Sequence, residues 1–73
     1  MDEITRIKKD ITMFEENLKN IHNKKLTKIQ DQTYEMSKQY YEDSKYYLEK
    51  KDYFTAFGCI NYAHGLLDSI IKF

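Results

Sequence analysis

The sequence predicts an all-α protein, a three-helix bundle with helices near residues 3–21, 26–50 and 52–72. The 73 residues include no proline and only two glycines, so the punctuation that strands and tight hairpins need is nearly absent. Apolar residues recur at steps of three and four, which is the period of a helix. Two polar stretches, Asn20–Lys25 beyond Ile21 and Glu49–Asp52, break that pattern and leave three segments of helical length.

The first segment places Ile4, Ile7, Ile11, Phe14, Leu18 and Ile21 on one stripe, with Arg6, Lys8, Lys9, Glu15, Glu16 and Lys19 turned to water. Asp2 or Glu3 is suited to the free N–H groups at its start. Thr27-Lys28-Ile29-Gln30 has the order of a capping box and opens the second helix. That helix carries two adjoining stripes, Ile29, Met36, Tyr40 and Tyr47 beside Tyr34, Tyr41 and Leu48, which predicts the middle position in the bundle. Lys50 and Lys51 offer cations to its last carbonyls, and Asp52 is placed to cap the third helix.

Between Tyr53 and Ile71 the only formally charged side chain is Asp68, and Phe54, Ala56, Phe57, Cys59, Ile60, Ala63, Leu66, Leu67, Ile70 and Ile71 cover more than half the wheel. Such a helix seeks burial on more than one side, and Leu66, Cys59 and Ile70, set away from Phe57 and His64, are expected to leave apolar area uncovered in a monomer. Gly58 and Gly65, one heptad apart beside Tyr62 and Ser69, form a shallow strip whose simpler reading is close packing inside the bundle.

Composition excludes several function classes. Twelve basic and twelve acidic side chains cancel, which argues against nucleic acid as the partner of the chain as a whole. One cysteine, Cys59, rules out an internal disulfide and a multi-thiolate zinc cage, and no metal or cofactor motif occurs. No apolar run is long enough to span a bilayer, and Met1-Asp2-Glu3-Ile4 lacks the order of a secretion signal, so a cytoplasmic single domain over residues 1–73, away from membranes, is the expectation.

Few residues could carry chemistry. His64 and Asp68 are spaced to meet on one helix face, as a proton-exchanging pair or, more simply, as a structural hydrogen bond at the polar rim. Lys19, Lys24, Lys25 and Lys28 gather with His22 around the first turn, a basic patch able to touch phosphate or simply a solvated end. Cys59 reads as a small hydrophobe, because no neighbour in sequence would activate its thiol.

Residues from Tyr40 to Ser69 resemble the mainly archaeal domain of unknown function family 357. The resemblance is carried by Asp43, Tyr46-Tyr47-Leu48, Asp52, Ala56-Phe57 and Tyr62-Ala63-His64-Gly65-Leu66-Leu67-Asp68. The chain departs from that pattern at Ser44 and Ser69, where alanine is usual, at Lys51, where glycine often stands, and at Leu66, where tryptophan is common. The resemblance implies a compact helical fold and an archaeal, cytoplasmic origin, and it implies no reaction, cofactor or ligand. Helical-hairpin modules such as tetratricopeptide repeats also place a polar turn before an Ala-aromatic helix, but no second repeat is present here.

The sequence therefore points to a non-enzymatic interaction module, with a homodimer or another protein engaged through the third helix. The competing expectation is a small ligand-binding or enzymatic domain whose polar groups are Asp43, Tyr62, His64, Gly65 and Asp68. Anion or nucleic-acid contact through the basic turn is the third.

Overall fold

The computed structural model describes residues 2–21 and 24–71. Three helices follow in order: α1 (Glu3–Ile21), α2 (Lys28–Glu49) and α3 (Tyr53–Ile71). Each predicted helix is present, within two residues of its expected start and end over the described chain. His22 and the expected last residue of the third helix, 72, lie outside the described residues.

The helix boundaries follow from local hydrogen bonding. At the start of α1 the Asp2 carboxylate accepts from the Thr5 amide at 2.7 Å, an N-cap that holds the carboxyl below its ordinary range. At α2 the capping box is complete: the Gln30 amide donates to Thr27 Oγ1 at 3.1 Å, and the Thr27 amide donates to Gln30 Oε1 at 3.0 Å. Asp52 caps α3, its carboxylate accepting from the Thr55 amide at 3.2 Å.

The connection from α2 to α3 is a Schellman turn. The Lys51 amide donates to Leu48 O at 3.0 Å and the Asp52 amide to Tyr47 O at 2.9 Å. This turn needs a left-handed residue at its centre, and Lys51 supplies it with φ at 66°. A side chain there costs roughly 1–2 kcal/mol that glycine avoids. Lys51→Gly is accordingly expected to stabilise the fold by about 1 kcal/mol, seen as a higher urea midpoint with an unchanged slope.

Pairwise contacts give the topology. Arg6 lies over the Phe57 ring and His64 reaches Asp10, so α1 and α3 run parallel. Ser44 bonds to Ala56 and Tyr40 meets Tyr62, so α2 and α3 run antiparallel. The most extensive helix pair is α2 with α3; α1 lies mainly against α3 and touches α2 much less. The middle helix is therefore α3, not α2 as the two stripes of the second segment predict. The physical reason is that α3 is apolar on both flanks of its buried stripe, Ala56, Ile60, Ala63, Leu67 and Ile70, and so accepts a neighbour on each side.

The core closes around Ile7, Phe14, Ile60 and Leu67, all fully buried. The predicted stripe of α1 holds: Ile7, Ile11, Phe14 and Ile21 are buried and Leu18 is half-buried, while Ile4 is more open at the helix start. On α2 the outcome differs. Its buried face is Ser37, Tyr41 and Ser44; of the two predicted stripes, Tyr34, Tyr40, Tyr47 and Leu48 are half-buried against the core, while Ile29 and Met36 are left open, 75% and 46% exposed. Tyr41 stacks on Phe14 at 4.9 Å between ring centroids. Ser37 and Ser44 sit where α2 approaches Ala56 and Ala63, so the two helices meet along a seam of small residues.

Candidate functional site

Viewed along its axis, α3 turns Ala56, Ile60, Ala63, Leu67 and Ile70 inward, so the helical period brings Phe54, Gly58, Asn61, Gly65 and Ser69 to the opposite, outer face. All five are exposed, with Phe54 87% open, and Tyr62 borders them at 55%. The glycines do not pack inside the bundle. A Cβ at Gly58 or Gly65 would have no neighbour within 4 Å, so the reading of close intramolecular packing is overturned. The close crossing those glycines were expected to provide is made instead by the serines and alanines of the α2–α3 seam.

The expected uncovered area on α3 is also relocated. Ile70 is buried and Leu66 and Cys59 are half-buried, because α1 and α2 cover both flanks of the inward stripe. What remains open is Phe54 and Tyr62 with the glycines between them. Sequence reasoning placed Phe54 among the apolar cover of the wheel. Its position four residues before Gly58 was the signal that it belongs to the glycine face.

The polar candidates do not converge. Tyr62 and His64, two residues apart, project from different sides of α3. Tyr62 meets Tyr40 of α2 at 4.7 Å between centroids, on the side of the hairpin that α1 leaves open. His64 is on the α1 side, with Nε2 2.8 Å from Asp10 O and its ring edge-on to Phe14 at 5.6 Å. Nε2 donates to that carbonyl. Among the described residues no hydrogen bond or ion pair joins His64 to Asp68, which is half-buried one turn further on. Gly65 belongs to the outer face, apart from both.

Asp43 lies on the open side of α2 with Met36, Tyr40 and Tyr47. Burial raises the pKa of the Cys59 thiol, and the negative charges of Asp43 and Asp52 push it further in the same direction. A thiol so placed stays protonated and is a poor nucleophile or metal ligand, in line with its reading as a small hydrophobe. Among the described residues no group of three His, Cys, Asp or Glu side chains is arranged to hold a metal.

Lys19, Lys24, Lys25 and Lys28 are all exposed around the first turn, and none takes part in an ion pair among the described residues. No helix among the described residues is long and apolar enough to cross a membrane.

Comparison with characterised sequences returns no curated protein that matches the chain. A family model described as "Protein of unknown function (DUF357)" matches residues 9–73. That span takes in about two thirds of α1 and the whole of α2 and α3, including the Tyr62–Asp68 segment and the outer glycines, so the chain belongs to the family of unknown function DUF357.

Proposed function

We propose that this protein is a non-enzymatic interaction module that associates with a second copy of itself through the outer face of α3. The carrying observation is that Gly58 and Gly65 lie within a helix, exposed, with nothing within 4 Å of where a side chain would be. Each glycine costs about 1 kcal/mol relative to alanine in a helix interior, and no contact inside the subunit offsets it. A shallow strip flanked by Phe54 and Tyr62 suits the close approach of another helix, whose backbone would fill the strip while the rings pack on either side. The placement of Tyr62 on a different side of α3 from His64, and the engagement of His64 Nε2 with Asp10 O rather than with Asp68, support this reading over an enzymatic one.

Alanine at the glycines separates the two roles. In Gly58→Ala and Gly65→Ala the monomer is expected to gain about 1 kcal/mol of stability each, because the helix improves and nothing clashes. Association is expected to weaken in the same variants. Sedimentation velocity from micromolar to millimolar chain should show a concentration-dependent rise for the parent, reduced in the alanine variants and abolished in Phe54→Ser. A parent chain that sediments as a monomer throughout would refute self-association.

A further inference from the structure

A second feature lies at the opposite end of the bundle from the first turn. The start of α1, the end of α2, the Schellman turn and the first residue of α3 border an open cleft of about 380 Å³ lined by Ile4, Lys8, Lys45, Leu48, Glu49, Lys51 and Tyr53. Its size falls within the usual range for small-ligand sites. Leu48 and Tyr53 rest against the core and, with Ile4, give the cleft an apolar floor at the junction of all three helices.

The rim is cationic. Three lysines face one carboxylate, Glu49, in a chain whose total charge is zero. Lys45 is already engaged: its ammonium lies 3.6 Å from Glu42 and 3.4 Å from the Tyr41 hydroxyl, to which it donates. Lys8 and Lys51 have no ion pair among the described residues and remain available to a ligand. Lys51 is held at the mouth by a backbone that strongly favours glycine, fixed from both sides by the bonds to Leu48 and Tyr47. A flat apolar body on Leu48 and Tyr53 with a negative group between Lys8 and Lys51 would complement both parts of the cleft.

From this placement we infer that the cleft binds a small amphipathic anion, an aryl or alkyl carboxylate, held by its apolar body on the floor and by Lys8 and Lys51 at the rim. The cleft shares no residue with the outer face of α3 proposed for association.

The test uses 2-naphthoate and its neutral counterpart 2-naphthamide, titrated into the full chain and followed by amide chemical shifts. Naphthoate is expected to give saturable shifts centred on Leu48, Lys51 and Tyr53, and naphthamide to bind at least fivefold more weakly. Lys51→Gly and Lys8→Gln should each weaken naphthoate at least threefold while circular dichroism keeps the parent's helix content. Lys8→Gln leaves the turn untouched, so the inference stays testable whatever Lys51→Gly does to folding. Equal binding of the two probes, shifts centred elsewhere, no saturable binding, or indifference to both substitutions would each overturn it.

Discussion

Phe14→Ala is expected to abolish cooperative unfolding and leave the chain largely without helix at 25 °C. Phe14 is fully buried, stacked on Tyr41 from α2 and met edge-on by His64 from α3, so it is a ring through which all three helices touch. Truncating a buried phenylalanine costs about 3–5 kcal/mol, the transfer of the ring plus the cavity it leaves. A single core in a chain of this size supplies roughly 3–5 kcal/mol net, so the loss consumes the whole margin. Phe14→Leu keeps much of the volume and should still melt cooperatively, at a lower temperature. Thermal melts by circular dichroism decide it, and a Phe14→Ala midpoint within a few degrees of the parent would show that this ring does not hold the core together.

The second large effect is expected at the α2–α3 seam. Ser44 is fully buried and its hydroxyl donates to Ala56 O at 2.7 Å across the crossing. Ser44→Leu removes that bond, worth about 1 kcal/mol, and forces a larger side chain into a contact sized for serine against alanine, for a further 1–3 kcal/mol or so. The sum approaches the full stability of the domain. Ser44→Ala is the control: it loses the donor but keeps the size, and the Ala56 carbonyl retains its place in the ladder of α3, so the cost should stay near 1 kcal/mol. Urea midpoints for the two variants should therefore differ widely. Near-equal values would mean the crossing has room to spare and that size does not govern it.

These two positions also show what was legible in the chain. The stripe of α1 reads correctly because that helix buries one face, so hydrophobic spacing and burial coincide at Ile7, Ile11, Phe14 and Ile21. The caps at Asp2, Thr27 and Asp52 read correctly because each depends on a residue three positions away. On α2 the hydrophobic signal reads Tyr34, Tyr41 and Leu48 correctly and misleads at Ile29 and Met36. Burial there is decided by size at a close crossing, so Ser37 and Ser44 go inside while Ile29 and Met36 stay in water. The heptad spacing of Ser37 with Ser44, and of Ala56 with Ala63, carried that information in a form that counting apolar residues overlooks.

The candidate site was legible in part for a similar reason. Spacing placed Gly58 and Gly65 on one side of a helix, but which side the neighbours cover is a property of the whole packing. Tyr62, His64 and Asp68 looked like a cluster because they are close in sequence, whereas the helix carries Tyr62 toward Tyr40 and His64 toward Asp10. The cleft at the Schellman turn draws on residues from Ile4 to Tyr53, a separation at which one-dimensional patterns carry no signal.

That α1 lies mainly along α3 and meets α2 chiefly where Phe14 and Glu15 reach Tyr41 divides the molecule into a hairpin and a strap. The hairpin's partners are joined by a short, tightly bonded turn and share the most extensive helix contact. The strap is tied mainly along one edge, so its release is the least costly opening short of unfolding, and it would hand to solvent the whole stripe of Ile7, Ile11, Phe14 and Ile21 together with the His64 imidazole packed against it.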